Sequence, residues 1–335
     1  MGPLLTKLLR GTDLTVSESR EFFRLLFTGA VPFTKAKSFL LLLAKKGETA
    51  DELLGCLGAL RALEKPVGPK IPGLMDTCGT GGDGRKTLNI STLVALVIAG
   101  AGGKIAKHGN RAISSKSGSS DLMEAFGVKL DAAPRKMIAA VRRHGLGYFH
   151  APFFHPVFAK MQPLRRSLKR PTMLNLLGPL VNPMRLDHQL VGVSGKDRVP
   201  LYAKVLSKLG RKTALVCHSD DGMDEISTSV PTTVAWVTPG KVRMSVIRPA
   251  AYGLRKASVK DLAVDSVKKS KLRAQKILAG KEKGPARDTV VLNAAFGLLL
   301  CGTARSVEEG ITLARKSIDS GKALKVLEQL RRMSN

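Results

Sequence analysis

The stretch DTCGTGGDGRKTLNIST, residues 76–92, contains almost nothing that could fill a core. It is dominated by glycine, threonine and serine, and it runs directly into the apolar segment LVALVIAGAGG at residues 93–103. Glycine permits positive φ angles and close backbone approach, and exposed N–H groups ahead of a helix form a nest for anions. The stretch therefore predicts a phosphate-binding loop between a strand and a buried helix of an α/β protein. A flexible turn is the alternative on this stretch alone.

A second polar stretch, KHGNRAISSKSGSSD at residues 107–121, follows the next predicted strand. Lys107 and Arg111 supply fixed cations, and the serines supply hydroxyl groups, which together suit a phosphate. His108 by itself is more typical of a satisfied polar residue than of a base. Because the two stretches belong to successive βα units, they predict a ligand with two separated phosphate groups.

A third stretch, HSDDGMDEIS at residues 218–227, places carboxylates after a predicted strand. In open α/β sheets, ligands bind at the carboxyl ends of the strands. Mg²⁺ typically takes one or two carboxylates together with substrate phosphate oxygens. We therefore expect Asp224 and Glu225 to hold a magnesium ion, with an ordinary acidic loop as the alternative.

Helices are predicted for residues 1–64, where three amphipathic segments begin near Ser17, Thr34 and Thr49. Three prolines and two glycines in residues 65–73 indicate a linker. Beyond it, strand-like and helix-like segments alternate, and residues 233–247 predict a β-hairpin over a Pro-Gly turn. The predicted fold is α/β: a small N-terminal helical domain plus a larger α/β domain with a mostly parallel central sheet flanked by helices.

Charge limits the choice of partners. The 335 residues include 55 Lys and Arg against 26 Asp and Glu, a formal net charge of +29. That excess favours anionic partners such as phosphorylated metabolites, nucleic acid or acidic membrane surfaces. Since only 4% of the residues are aromatic, a base-stacking surface is poorly supplied. A solvated basic surface is the preferred interpretation, and nucleic-acid binding is the alternative.

The cysteines and apolar runs indicate a cytoplasmic protein with no membrane partner. The four cysteines are far apart in sequence, which predicts reduced thiols and no paired-cysteine metal site. The longest apolar run, residues 93–103, is about half of a membrane span. The first residues lack the pattern of a signal peptide.

Five motifs in order carry a resemblance to a known family: DTCGTGGD, LNIST, KHGNRAISSKSGSSDLMEAFGV, NLLGPLVNP and HSDDGMDEIS. Their order and spacing resemble those of the anthranilate phosphoribosyltransferases over nearly the whole chain. The resemblance implies transfer of phosphoribosyl from phosphoribosyl pyrophosphate (PRPP) to the amine of anthranilate, with release of pyrophosphate, in tryptophan biosynthesis. It further implies Mg²⁺ and a homodimer that associates through the helical domain. The helical domain would comprise residues 1–66, completed by residues 163–190, and the PRPP-binding α/β domain residues 74–335.

The resemblance also assigns ligands to positions of this chain. To PRPP it assigns Gly79, Gly82, Asp83, Thr87, Asn89, Ile90, Ser91, Thr92, Lys107, His108, Gly109, Asn110, Arg111, Ala112, Ile113, Ser114, Ser115 and Ser119. To anthranilate it assigns Gly79, Asn110 and Arg165, and to Mg²⁺ it assigns Ser91, Asp224 and Glu225. It assigns no acid or base to proton transfer; Lys107 and Arg165 would support the reaction by positioning and electrostatics.

The chain departs from the family pattern on the acceptor side. Phe154 stands where the family usually has a polar residue, and Lys169, Pro171 and Leu174 replace the usual residues of the following segment. The sequence therefore leaves two alternatives open: a relative that acts on another aromatic acceptor, and one that binds nucleic acid through its basic surface.

Overall fold

A computed structural model of the chain describes residues 2–64, 66–112 and 117–335. The chain begins with four helices: α1 (Gly2–Leu9), α2 (Val16–Thr28), α3 (Phe33–Lys46) and α4 (Ala50–Leu63). The expected N-cap Thr49 does cap α4. Helices α2 and α3 begin within one residue of Ser17 and Thr34, but neither residue is the N-cap. Thr15 caps α2 because Glu18 completes its capping box, and Pro32 precedes α3.

A single seven-stranded sheet forms within the described ranges. Its strands are β1 (Leu74–Asp76), β2 (Lys104–Gly109), β3 (Leu146–His150), β4 (His188–Gly192), β5 (Thr213–Ser219), β6 (Thr232–Thr238) and β7 (Lys241–Ile247). Strands β1 to β5 are parallel, and β6 and β7 form the predicted antiparallel hairpin at one edge. The mostly parallel sheet predicted from the sequence is thereby confirmed.

The remaining helices connect and cover these strands. They are α5 (Ile90–Gly100), α6 (Ser119–Ala125), α7 (Pro134–His144), α8 (Ala151–Phe154), α9 (Pro156–Lys160), α10 (Gln162–Leu168), α11 (Met173–Leu176), α12 (Arg198–Lys208), α13 (Val259–Leu262), α14 (Val267–Leu278), α15 (Pro285–Leu300), α16 (Val307–Asp319) and α17 (Lys322–Ser334). The apolar run after the first glycine-rich stretch is the buried helix α5, as predicted. No helix in the described part of the chain is both long and apolar enough to cross a membrane.

Strand order fixes where a ligand can enter. The sheet runs β3-β2-β1-β4-β5-β6-β7, so the chain winds outward from β1 in one direction and then resumes with β4 on the other side. The carboxyl ends of β1 and β4 therefore flank a topological switch point, where open α/β sheets leave a crevice for ligands. The first glycine-rich stretch starts at the end of β1, directly at this crevice.

Alternating side chains divide the buried residues between two cores. In β5, Leu215 and Cys217 belong to a core shared with α5 and α15, whereas Ala214 and Val216 belong to a core shared with α1 to α4 and α12. The alternation is the period of two that a strand buried on both faces requires. Residues 157–181 also join the second core, so that α10 and α11 pack on α3. The division into two domains at residues 66 and 74 stays a prediction.

Candidate functional site

The buried carboxylate of Asp76 joins the two predicted phosphate loops. Its Oδ1 accepts the backbone N–H groups of Thr77 at 2.7 Å and His108 at 3.2 Å. Its Oδ2 accepts the side-chain amide of Asn182 at 2.8 Å. The first loop begins after β1 and the second after β2, so one carboxylate holds the start of both. Sequence reasoning missed Asp76 and Asn182, although an acid ending the apolar strand LMD was a signal.

The first loop is also tied to the end of β4. Gly81 and Gly82 adopt φ angles of +59° and +79°, which side chains other than glycine rarely tolerate. The Thr80 N–H donates to the carbonyl oxygen of Gly192 at 2.9 Å, and the Thr80 Oγ1 accepts from the Ser194 N–H at 3.1 Å. The loop is therefore pinned across the crevice rather than left as a flexible turn.

The three residues predicted to bind metal, Ser91, Asp224 and Glu225, lie close together beside the first loop. The Asp224 Oδ2 accepts the Gly81 N–H at 2.9 Å, and the Glu225 Oε1 accepts the Ser91 N–H at 3.1 Å. Burial, and next the charge of Asp83, raise the pKa of Asp224 to about 7. Burial, and next the charge of Asp224, raise the pKa of Glu225 well above its usual range. Without a cation, these recessed carboxylates are costly to ionise.

The donor set fits a hard cation with open coordination positions. Within residues 2–64, 66–112 and 117–335, no group of three or more His, Cys, Asp or Glu side chains is arranged to hold a metal ion. Two carboxylates and a serine, each supplying one oxygen, would leave half of the positions of an octahedron to water and ligand oxygens. That is how Mg²⁺ is usually bound beside phosphates, and zinc would require more protein ligands.

Lys107 brings a buried positive charge to the same crevice. Only 1% of the residue is exposed, and its Nζ donates to the His108 carbonyl oxygen at 3.2 Å. No carboxylate among the described residues lies within 4.0 Å of the Nζ. Burial raises the pKa of Asp76 and Glu225, and the Lys107 charge only partly opposes that rise. A buried lysine with unused donors is a ready partner for an anionic ligand.

The His108 side chain is a neutral polar group. Burial, and next the nearby His155, lower the pKa of His108 to about 3. The His108 Nδ1 lies 3.0 Å from the Gly178 carbonyl oxygen, which requires a proton on Nδ1. The Nε2 is buried and has no hydrogen-bond partner among the described residues. The expectation of a satisfied polar residue is thus only half met, and an unprotonated Nε2 is an acceptor for a ligand N–H or O–H.

The described residues of the second loop form hydrogen bonds and ion pairs with one another and with α6. The Asn110 N–H donates to the Ser119 Oγ at 3.2 Å. The Arg111 guanidinium pairs with Asp121 at 3.2 Å and Glu124 at 2.7 Å, so this cation is already partly neutralised. The N-cap of α6 is Gly118, and a Cβ at this position would overlap the backbone of Asn110 and Ala112. The predicted residues Ile113, Ser114 and Ser115 lie outside the described residues.

The other predicted PRPP residues hold the first loop in place. The Asn89 side chain donates to the Ser117 carbonyl oxygen at 2.8 Å and accepts from Ser270 at 2.9 Å. Thr87 forms a β-bridge with Ala263. The remaining residues differ in exposure. Ile90 and Thr92 are buried in α5, Gly109 is buried, Ala112 is half-buried and Gly82 is exposed. What this set offers a ligand is chiefly backbone N–H groups.

Arg165, the predicted acceptor residue, lies on α10 and is half-buried. Its side chain forms no hydrogen bond or ion pair with any described residue, and burial lowers its pKa. No such bond joins it to Gly79 or Asn110 in the described part of the chain. Gly79 itself lies against Asp224, since a Cβ at Gly79 would be 3.0 Å from the Asp224 Oδ2. The Arg165 guanidinium is thus free to pair with a carboxylate ligand.

No activated nucleophile accompanies these groups in the described residues. Burial raises the pKa of the Cys78 thiol to about 12, so it is protonated at neutral pH and unreactive. The crevice can hold phosphates at backbone N–H groups and Lys107, and a cation at Asp224 and Glu225. Such a site acts by positioning and by stabilising charge on a leaving group.

The sequence matches both parts of a glycosyl transferase family. Residues 2–63 match its helical bundle domain and residues 72–324 match its a/b domain. The chain is 42% identical over 330 residues to an anthranilate phosphoribosyltransferase of Bacillus mycoides, which covers 98% of this chain and 96% of the relative. It is 41% identical to that of Persephonella marina over 98% of both chains.

Solved structures of anthranilate phosphoribosyltransferases have the same fold as this chain. The anthranilate phosphoribosyltransferase of Thermus thermophilus superposes with a TM-score of 0.92 at 36% identity, over 99% of each chain. The Saccharomyces cerevisiae protein, in complex with PRPP and Mg, gives 0.90 at 27% identity over 99% of this chain and 97% of that one. The same yeast protein with 4-fluoroanthranilate gives 0.89 at 25% identity, over 99% and 96%.

The end of β4 gives a test of how the crevice is built. A Cβ on Gly192 would overlap the Asp224 backbone carbonyl, which is fixed and cannot give way. We expect Gly192→Ala to lower the free energy of unfolding by about 1–3 kcal/mol, the usual cost of overpacking. Urea denaturation followed by circular dichroism measures it. Gly178→Ala, where a Cβ meets nothing within 4 Å, is the matched control and should change stability by less than about 0.5 kcal/mol. Equal effects would show that Asp224 does not pack as described.

Proposed function

The chain belongs to the anthranilate phosphoribosyltransferase family, and on that premise we propose which of its residues carry the reaction. The activity is transfer of the phosphoribosyl group of PRPP to the amine of anthranilate, with release of pyrophosphate, in tryptophan biosynthesis. The comparisons support this activity and not the alternatives of another acceptor or of nucleic-acid binding. We infer that the enzyme works in the cytoplasm.

PRPP binding is proposed at the two loops that Asp76 joins. The observation that carries it is that Lys107, the N-terminus of α5 and the two phosphate loops meet at one crevice. Lys107 is buried and forms no ion pair with a described residue. Phosphate and pyrophosphate groups would accept backbone N–H donors there. The ribose between them would then present its C1 to the acceptor side.

Mg²⁺ is the cofactor we propose, held by Ser91, Asp224 and Glu225. When bound, Mg²⁺ neutralises charge that develops on departing pyrophosphate. Asp224 and Glu225 also orient the first loop, because each accepts one of its backbone N–H groups. In the reaction, the anthranilate nitrogen forms a bond to C1 while the bond from C1 to pyrophosphate oxygen breaks, with its electron pair leaving on pyrophosphate. The surplus amine proton is lost to pyrophosphate or water.

Arg165 is proposed to orient the acceptor. Its half-buried, unpaired guanidinium suits a bidentate contact with the anthranilate carboxylate. The aromatic amine is uncharged at neutral pH and already nucleophilic, so binding in the correct orientation supplies much of the rate. Asn110 and Gly79 would complete this side of the site.

Association into a homodimer through the helical domain is a further part of the proposal. Leu9 and Phe33 are 70% and 50% exposed on α1 and α3, which pack on each other. Exposed large apolar residues on neighbouring helices are a common signature of an interface.

Removing the two acidic charges tests the metal site. We expect Asp224→Asn combined with Glu225→Gln to reduce Mg²⁺-dependent turnover by at least about 10²–10³-fold, the usual cost of losing charge stabilisation of a leaving group. Loss of anthranilate fluorescence in the presence of PRPP measures turnover, and circular dichroism checks the fold. Asp220→Asn, in the same loop and exposed, is the control. Unchanged turnover of the double variant would refute the assignment.

Truncating Arg165 tests the acceptor site. Arg165→Ala should raise the KM for anthranilate by about tenfold or more, because a charge-assisted contact is lost, while the KM for PRPP changes little. Steady-state kinetics with each substrate varied in turn measures both values. Arg166→Ala, on an exposed neighbour in α10, should change neither. Equal increases in both KM values for Arg165→Ala would remove this residue from the acceptor site.

The dimer is tested by size-exclusion chromatography with light scattering. The parent protein should have about twice the 35.9 kDa mass of one chain, and Phe33→Glu should shift it to the mass of a single chain. Val246→Glu changes an equally exposed residue on β7, which lies outside the N-terminal helices, and should leave the mass unchanged. A monomeric parent protein, or a dimeric Phe33→Glu variant, would contradict the proposed interface.

A further inference from the structure

A second cavity reaches from the start of β4 and β5 to His155 and Asn182, which contact His108 and Asp76 at the phosphate loops. It has a volume of about 410 Å³ and is bounded by the end of α4 and by the residues that precede β4 and β5. Its walls include Asp187, just ahead of β4, and Arg211, just ahead of β5. The volume falls in the range of small-molecule sites.

Arg211 brings a buried and incompletely paired guanidinium to this cavity. Only 7% of the residue is exposed. Its Nε donates to the Gln189 Oε1 at 3.0 Å, and its Nη1 donates weakly to the Leu186 carbonyl oxygen at 3.4 Å. No carboxylate of the described residues lies within 4.0 Å of it. Because arginine has five N–H donors, three have no protein acceptor in the described part of the chain.

A second arginine adds to the same positive charge. Arg61, near the end of α4, lines the cavity and forms no ion pair with a described residue. Burial, and next the charge of Arg61, lower the pKa of Arg211 to about 10. Two arginines that share a cavity without an intervening carboxylate repel each other, and an anion placed between them would relieve that repulsion.

The acids in the cavity wall form their ion pairs with side chains other than these two arginines. Asp187 is engaged by Lys70 and Lys212, at 3.5 and 3.3 Å. The Glu64 Oε2 lies 2.6 Å from the His155 Nδ1. The acidic charge is therefore used elsewhere, and the net charge facing the cavity is positive.

Apolar side chains form much of the remaining wall. Leu57, Leu60, Phe154 and Leu209 line the cavity beside the arginines. An inorganic anion would leave these surfaces wet. A ligand with an apolar body and one carboxylate would bury them and pair with guanidinium at the same time.

We propose that this cavity is a binding site for a small aromatic carboxylate, with the carboxylate between Arg61 and Arg211 and the ring against Leu60 and Phe154. Arg165 does not line the cavity, although Phe154, which the family pattern places on the acceptor side, forms part of its wall. Neither glycine-rich loop contributes to its walls. The ligand would therefore bind whether or not PRPP is present.

Titration with 2-naphthoate, a fluorescent aromatic carboxylate, tests the proposal on the full-length protein. We expect saturable binding, and Arg61→Gln should weaken it by about tenfold or more, the typical effect of losing one charge-assisted hydrogen bond. Arg61 is exposed, so this variant should fold normally. Arg211→Gln should weaken binding at least as much, with circular dichroism to confirm its fold.

Three controls establish whether the probe binds in this cavity through its carboxylate. Lys208→Gln removes an exposed positive charge three residues before Arg211 and should leave affinity unchanged. Arg165→Ala should also leave it unchanged, and the uncharged 2-naphthamide should bind the parent protein about tenfold more weakly or worse. The proposal falls if naphthoate does not bind, if Arg61→Gln has no effect, or if Arg165→Ala abolishes binding, which would place the probe at the acceptor site.

Discussion

The buried carboxylate of Asp76 is the interaction on which the rest of the site depends. It receives hydrogen bonds from Thr77, His108 and Asn182, which belong to three separate segments of the chain. Burying an acid is unfavourable unless its oxygens are satisfied, and here three donors satisfy them. In return, the loops after β1 and β2 and the motif NLLGPLVNP acquire a fixed relation to one another. Only with that relation do the glycine-rich loops become a shaped anion site.

A second feature is a group of ionisable side chains in one crevice that form no ion pair with one another. Lys107 is buried, and Asp224 and Glu225 are recessed, yet none of them forms an ion pair with a described residue. Burial raises the pKa of both acids, so keeping them ionised without a cation costs free energy. An anionic ligand and a divalent cation would provide the missing partners. The crevice thus lowers the stability of the free protein and favours binding of an anion and a divalent cation. Such a balance is common at functional sites.

Local signals in the sequence predicted much of the fold, and long-range contacts escaped it. The buried helix α5, the hairpin β6–β7 and the Thr49 cap follow from periodicity and turn chemistry within a few residues. The short strand β4 escaped, as did the pairing of Asp76 with Asn182, because the two residues are 106 positions apart. The grouping of Ser91 with Asp224 and Glu225 was reachable only through family resemblance. Contacts between residues that are distant in sequence do not produce a recognisable pattern in the neighbouring residues of either one.

The tie between the first loop and Asp224 has a consequence for how the enzyme is made. The Gly81 N–H and the Asp224 carboxylate are 143 residues apart, so their contact cannot form until β4 and β5 have joined the sheet. The substrate-binding crevice is therefore incomplete on a nascent chain until Asp224 has been synthesised and β5 has folded. Since ligands then bind only the finished form, abundant PRPP would protect completed molecules from proteolysis, by about 2.7 kcal/mol at a hundred times its Kd.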